Sequence, residues 1–423
     1  MSVTHFRVDV SEDVLADLRD RIRRTRFTPA SSPEPWAAGT DPAYLRSLLT
    51  YWADGFDWRT AEDELNRLPH RLADIGGQRI HFVHVRAVGG RPALPLILTH
   101  GWPSSFVEML PLVPLLTDPA RFGGDPADAF DVVIPSLPGF LFSDLPPGRP
   151  MTERSEGIKG TAAVVTPSDV GGPMTERSEG IKGTAAVVTP SDVGGPMTRQ
   201  STAETWHALM TEELGYARYG AFGGDIGAGV TTWLGALYPE SVAGIHLIHP
   251  GMPAEPGDLT DAERAWLAAV ETFDEKDGGY SEIMLTRPDT IAAALQDSPA
   301  GLAAWIVDKY RAWSDCGGDL ESRFDRDDML TVLTLYWATG TIGSSFRQYY
   351  DWPLSPPRPV VPVPAGVTLS AEPVLRDMPR SLAERGFTDL RQWRGPTVGG
   401  HFMPMEEPAL LAGDLRALFR PLR

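Results

Sequence analysis

"AFGGDIGAG", Ala221–Gly229, joins an apolar run to a stretch of helical character, and its centre sets small residues around an acid: Gly223, Gly224, Asp225, Ile226, Gly227. A strand that bends sharply into a helix needs small residues beside the bend, and Gly223 and Gly227 supply them. The apex side chain then projects above the carboxyl edge of the sheet. The helix starting there offers free N–H groups and the positive end of its dipole. Asp225 suits that place, because a carboxylate is ionised at neutral pH and needs no base to make it a nucleophile. Aspartate is also a common helix-capping residue, and this stretch alone leaves both readings open.

Outward from this bend the chain keeps a strand–helix rhythm. "QRIHFVHVR", "LPLILTH", "FDVVIPSLPGF" and "SVAGIHLIHPG" read as strands. The second and third are short, continuous apolar runs, as in a parallel sheet covered on both faces. "TAETWHALMTEELGY" reads as the helix before the bend. The alternation predicts an α/β fold with a mostly parallel sheet. From about 255 to 355 the strands stop, and patterns such as "TIAAALQDSPAGLAAWIVDKYRAW" predict a helical cap over the sheet's carboxyl edge. The sheet resumes at "VVPVPAGVTLS" and "DLRQWRGP", and "EPALLAGDLRALFR" closes the chain as a helix.

The N-terminus reads differently. "DVSEDVLADLRDRIRRTRF" predicts a helix capped by Ser11, with Val14, Leu15, Leu18 and Ile22 as its apolar stripe, and "PAYLRSLLTYWADGFDW" a second helix. The expected organisation is an N-terminal helical segment at 1–75, a first core portion at 76–254, the cap at 255–355 and a second core portion at 356–423. Inside the first portion "MTERSEGIKGTAAVVTPSDVGGP" stands at Met151–Pro173 and again, letter for letter, at Met174–Pro196. Two copies are too few for a stacked solenoid. Their Gly, Ser, Thr and Pro content predicts a surface loop, a duplication whose flanks would join without it.

Bulk properties narrow the function. The net charge of −18 disfavours binding to a phosphate backbone, which needs clustered Lys and Arg. The single cysteine, Cys316, excludes an internal disulfide and a thiolate metal cluster. The N-terminus lacks the basic-then-apolar layout of a signal peptide, and no apolar run approaches a membrane span. No metal spacing or dinucleotide fingerprint appears, so no cofactor is expected. These features predict a cytoplasmic enzyme with a small-molecule substrate, no nucleic-acid or membrane partner, and compatibility with a homodimer.

If Asp225 forms an ester, a base must activate water to hydrolyse it. The order of an elbow-type site predicts a histidine in a loop after the last strand, oriented by an acid after the preceding strand. "GPTVGGHFMPMEEP" places His401 there, the only histidine in the C-terminal third. "GVTLSAEPVLRDMP" offers Glu372 and, less well placed, Asp377; Glu406 and Glu407 lie too near His401 in sequence to be first choices. His81, His84, His246 and His249 read as packed strand residues and His207 as mid-helix. Hydrolysis also needs an oxyanion hole. "LTHGWPSS" ends a buried strand, so the Trp102 amide is one expected donor and the Ile226 amide, next to Asp225, the other.

Taken together, "HGWPSS", "PSLPGF", "FGGDIGAG", "LYWATGTIGSS", "GGHFMPMEEP" and "YWADGFDWR" resemble the microsomal-type epoxide hydrolases, in their soluble bacterial branch, on the α/β-hydrolase fold. The resemblance spans nearly the whole chain outside the duplication. It implies Asp225 as nucleophile, His401 as base, Glu372 as its acid, and hydrolysis of an epoxide to a vicinal diol through an aspartyl ester. It also implies two cap tyrosines that hydrogen-bond the epoxide oxygen, matched by Tyr280 in "DGGYSEIMLTRPDT" and Tyr349 in "GTIGSSFRQYY", with Tyr350 as fallback. Aromatic-oxide detoxification, catabolism and a step of secondary metabolism all fit the resemblance. A haloalkane dehalogenase shares the nucleophile and base, but Ile226 lacks the side-chain N–H that would hold a departing halide. A catalytically inactive small-molecule-binding homologue would predict a missing group, and every role here has a candidate.

Overall fold

The computed structural model describes residues 3–90, 92–147, 195–252, 257–373, 375–395 and 398–423. Within them one sheet contains β1 (Thr4–His5), β2 (His70–Ile75), β3 (Gln78–Val85), β4 (Leu94–Thr99), β5 (Phe130–Pro135), β6 (Tyr219–Gly224), β7 (Val242–Ile248), β8 (Ala365–Thr368) and β9 (Leu390–Arg394). Their spatial order is β1-β2-β3-β5-β4-β6-β7-β8-β9. The first three strands run antiparallel, up to the β3–β5 pair, and every pair from β5 to β9 is parallel. Every residue of β4, β5, β6 and β7 is buried, which is why their sequences are continuous apolar runs rather than alternating ones.

The strand order places β4 beside β6, although β5 intervenes in the chain. Thr99 pairs with Gly223, so the two strands end at the same level. The residues that follow them, His100–Trp102 and Asp225, emerge together. Ligands of α/β sheets bind at such carboxyl edges.

Three helices form the N-terminal segment: α1 (Glu12–Arg23), α2 (Pro42–Asp54) and α3 (Trp58–Leu65). Leu15, Leu18 and Ile22 are buried as the stripe requires. Ser11 takes the N-cap position, but its side chain makes no capping hydrogen bond; Glu12 and Asp13 supply the favourable charge in the first turn. The segment is not helical throughout. It begins in β1 and ends in β2, antiparallel strands at the sheet's margin. The polar composition of "HRLADI" hides β2 from a hydrophobicity reading: His70 is buried but hydrogen-bonded to His81 and the Leu65 carbonyl, Arg71 is half-buried and Asp74 exposed.

The core helices are α4 (Leu112–Thr117), α5 (Arg199–Ala208) and α6 (Ile226–Leu237), with one π turn, Leu209–Glu213, extending α5. Then come seven cap helices: α7 (Asp261–Asp277), α8 (Gly279–Thr286), α9 (Pro288–Asp297), α10 (Pro299–Trp313), α11 (Arg326–Thr339), α12 (Ile342–Ser345) and α13 (Arg347–Tyr350). The chain returns to the core through α14 (Arg380–Glu384), α15 (Met403–Glu406) and α16 (Pro408–Phe419).

The N-terminal helices brace the cap. The buried Trp52 indole donates to Thr334 Oγ1 at 2.9 Å, Thr40 Oγ1 to the Ala304 carbonyl at 2.6 Å, and Arg21 pairs with Asp297. Tyr336 of α11 in turn donates to the Ser104 carbonyl at 2.8 Å, tying the cap to the loop after β4. The duplicated sequence lies outside the described residues except for Gly195 and Pro196. The Gly195 amide donates to the Pro147 carbonyl at 3.0 Å, so the described chain on either side of it meets.

Candidate active site

Asp225 stands between the end of β6 and the first residue of α6 with φ 52° and ψ −124°. A positive φ at a non-glycine residue costs on the order of 1–3 kcal/mol and persists only where the surroundings impose it. Here the glycines impose it. A Cβ on Gly223 would strike the Gly227 carbonyl, and one on Gly227 would strike the carbonyls of Thr99 and His100. The bend is therefore tight because α6 starts directly against β4. Asp225 is partly exposed and makes no capping hydrogen bond, so the capping reading does not describe it.

The Asp225 carboxylate is held from the neighbouring loop. The main-chain N–H of Trp102 donates to Oδ1 at 2.8 Å. A side chain at Gly101 would overlap Asp225, so only glycine lets this loop come so close. Ile226 opens α6; its N–H is one of the first-turn donors with no acceptor within the helix. The Trp102 N–H thus meets the carboxylate, and Ile226 follows Asp225 directly as the first residue of α6.

His401 and Glu372 meet although 29 residues separate them: Nδ1 and Oε2 are 3.0 Å apart. Glu372 is buried, whereas Asp377 is exposed in a short 3₁₀ turn, so the choice falls on Glu372. The "GGH" spelling is a packing requirement. Gly399 has φ 85°, and a Cβ on Gly400 would collide with the Trp313 carbonyl, which instead accepts the His401 N–H at 2.8 Å. Burial opposes a charged imidazole here. The carboxylate of Glu372, then those of Asp225 and Glu108, outweigh it and carry His401 up to about 9.

The cap lowers two phenols onto this pair. Tyr280 of α8 stacks on the Trp102 indole with centroids 5.5 Å apart, and Tyr349 of α13 meets Trp102 edge-on at 5.9 Å. The two tyrosine rings lie 6.2 Å apart, and Trp313 bridges Tyr280 and His401. Burial first, then the Tyr349 phenol and the Asp225 carboxylate, push Tyr280 well above the ordinary phenol range; burial and then Asp225 do the same to Tyr349. Both remain protonated donors. Tyr350 is 45% exposed and takes no part.

Three further groups hold places at the site that the sequence reading did not give them. Glu108, buried just after the Trp102 loop, is pushed by burial up to about 7, against the pull of His401. Its only signal was an acid inside the apolar "SFVEML". Glu406 accepts the amides of Asp315, Gly400 and Phe402 at 2.8, 2.9 and 3.1 Å, and so clamps the His401 loop. Its closeness in sequence to His401, which counted against it as an orienting acid, is what this role requires. His249 lies beyond β7 with φ 57° and contacts the loop leading to Glu372. His81 and His246 are buried as expected, and His81 hydrogen-bonds His70 and Ser136. Among the described residues no cluster of three or more His, Cys, Asp or Glu is arranged to hold a metal, and no helix is long and apolar enough to cross a membrane.

Two family models match consecutive parts of the chain up to residue 277. Residues 3–109 match the family model for the epoxide hydrolase N terminus, and residues 95–277 that for the α/β-hydrolase fold. A Stigmatella aurantiaca protein with a provisional epoxide hydrolase name is 39% identical, over 100% of this chain and 86% of its own length. Epoxide hydrolase 1 of Sus scrofa is 31% identical over 98% and 88%. Among solved structures, the juvenile hormone epoxide hydrolase of Bombyx mori superposes with a TM-score of 0.75 at 26% identity, covering 100% of this chain and 94% of that one. Aspergillus niger epoxide hydrolase gives 0.75 at 27%, covering 100% and 97%.

Proposed function

Since this chain belongs to the microsomal-type epoxide hydrolase family, we propose that it converts an epoxide and water to a vicinal diol through a transient ester on Asp225. The observation that carries this reading is the Asp225 carboxylate held at the strained bend, with Oδ1 on the Trp102 amide and the His401–Glu372 pair and both cap phenols around it.

In the first half-reaction a carboxylate oxygen attacks a ring carbon. The carbon–oxygen bond of the strained ring breaks, and its electron pair goes to the ring oxygen. Tyr280 and Tyr349 hydrogen-bond that oxygen and one of them gives it a proton. The charge of Asp225 disappears as the ester forms. One of the anions that hold the proton on His401 is then gone, so its pKa drops from about 9; the proton it gives up restores the phenol, and the neutral imidazole becomes the base.

In the second half-reaction His401 takes a proton from water and the hydroxide attacks the ester carbonyl. The Trp102 and Ile226 amides hold the oxyanion. Collapse breaks the bond to the diol oxygen, which takes the hydroxyl proton of the tetrahedral intermediate. His401 keeps water's proton, its charged resting form beside the restored Asp225 carboxylate, and water's oxygen stays in that carboxylate. The proposal places this chemistry in the cytoplasm, which fractionation of the producing cells would check.

One turnover in isotopically labelled water tests the scheme. The label should appear in the Asp225 peptide and enter diol only on later turnovers. Label placed directly into the first diol would mean that water, not Asp225, attacks the ring.

A further inference from the structure

β7 and β8 stay paired up to Ile248 and Thr368, and there the sheet ends. Two residues further along, Ser370 begins the loop that carries Glu372. His249 cannot continue the ladder, because its φ of 57° turns the main chain away. Its side chain takes over instead. Nε2 lies 3.1 Å from the Ser370 amide and 2.6 Å from Ser370 Oγ. Ser370 Oγ in turn accepts the Glu372 N–H at 3.3 Å. The Ala371 amide, between them, donates to the Gly399 carbonyl at 2.6 Å, joining this loop to the one that holds His401.

We propose that His249 is a positioning residue for the hydrolytic half-reaction: through Ser370 it fixes the Glu372 loop, and so the carboxylate that orients His401. The inference rests on the catalytic reading above. The proton positions support it. Nε2 accepts the Ser370 N–H, so it carries the lone pair and lies where the Ser370 hydroxyl can also donate to it; the neutral ring's proton is then on Nδ1, which is buried and has no hydrogen-bond partner among the described residues. The serine oxygen is then left free to accept from Glu372. Burial, and then the charge of His401, keep the imidazole uncharged across the working range, pushing it down to about 3. The charges facing His401 itself are Glu372, Asp225 and Glu108. A non-glycine residue held at positive φ for one side-chain acceptor is consistent with a constraint that outweighs local strain. The role is distinct from that of Glu406, which clamps the histidine loop rather than the acid loop.

The experiment compares wild type with His249→Phe, His249→Gln and Ser370→Ala by rapid quench, following formation and breakdown of the Asp225 ester from pH 6 to 10. Phenylalanine keeps the ring and removes the acceptor; the glutamine Oε1 reaches the place of Nε2. In His249→Phe ester formation should stay within about twofold while breakdown slows about tenfold or more, as when a supporting shell is lost. The pH of half-maximal breakdown should move down, because a loosened Glu372 holds the His401 proton less tightly. His249→Gln should recover most of the rate. Ser370→Ala should repeat the defect, and the double variant with His249→Phe should be no worse than either single one. Unchanged breakdown in His249→Phe, or additive losses in the double variant, would overturn the proposal. If His249→Phe fails to fold, Ser370→Ala decides: a wild-type breakdown rate and pH midpoint overturn it. A wild-type enzyme that forms no ester refutes the catalytic reading itself and is recognised separately.

Discussion

The Trp102 amide and the Asp225 carboxylate meet at 2.8 Å only because residue 101 has no side chain. A methyl group on Gly101 would occupy the space of the carboxylate, and Asp225 would lose its hydrogen bond and its aim. Gly101→Ala should therefore slow breakdown of the Asp225 ester, followed by rapid quench, by about 10²–10³-fold, the order expected when one preorganised oxyanion donor is lost. Thermal unfolding measured beside the kinetics separates this from a general loss of structure. A variant with a wild-type rate of ester breakdown would remove the Trp102 amide from the mechanism.

His401 titrates high because anions surround it, and Asp225 is one of them. Replacing Asp225 by Asn imitates the charge loss of esterification, so the imidazole pKa should fall below about 9, toward its ordinary value near 6.5. NMR titration of the His401 ring reads this directly. The sign for stability follows. A histidine whose folded pKa is raised stabilises the fold fully below 6.5 and loses that contribution as pH rises through about 9. Wild type should accordingly lose more stability across this window than Asp225→Asn. Equal pH slopes would show that Asp225 does not hold the His401 proton.

Glu406 gives three amides their acceptor, two of them fully buried. Its alanine variant strands those donors and should destabilise the fold by about 2–5 kcal/mol. Activity should fall as well, since Gly400 and Phe402 flank His401. Denaturant midpoints for Glu406→Ala and Glu406→Gln check this: the glutamine keeps one carbonyl acceptor and should lie between alanine and wild type.

The catalytic bend and the histidine loop were legible because their chemistry is local. Gly223 and Gly227 bracket Asp225 within one turn, and Gly399 and Gly400 precede His401 directly, so main-chain constraints are written as glycines in series. The buried strands were legible for a similar reason, since burial on both faces forces unbroken apolar runs. Supporting groups were not. Glu108 acquires meaning only when the loop after β4 is placed against Asp225 and His401, and His249 only when β7 and β8 end together. β2 was missed because its polar residues mask a strand held between β1 and β3 by main-chain hydrogen bonds. The pairing of His401 with Glu372 depended on chain order, and Asp377 lost its claim only through its exposure.

Several histidines are buried uncharged and carry an acid liability. Burial pushes His246 down to about 4, and it packs near Thr368 and Asp414 without a role at the site. For a base with a depressed folded pKa, the neutral form's stability is intact above about 6.5 and drains away as pH falls toward 4. Each such group steepens the fall by up to about 1.4 kcal/mol per pH unit. His246→Phe should cost little at pH 7 and flatten the decline between 6.5 and 4. Urea unfolding at several pH values measures it, and parallel curves for the two proteins would assign the acid sensitivity elsewhere.

The chain on either side of the duplication meets in a geometry that can close on its own. The Gly195 amide already donates to the Pro147 carbonyl at 3.0 Å, the bond that closes a four-residue β-turn. Deleting residues 149–193 leaves Gly148 and Gly194 as the two central residues of that turn, and a Gly-Gly pair accepts the positive φ values of the tight hairpin types. Downstream anchors remain: the Met197 amide on Asp351 and the Thr198 cap on Ser201 both lie beyond the excision. The shortened enzyme should therefore fold with a Tm equal to or above that of the full chain and retain kcat/KM within a few-fold, as measured on one epoxide. Loss of folding would show that residues 149–193 complete the core. Retained folding with lost turnover would show that they reach the substrate.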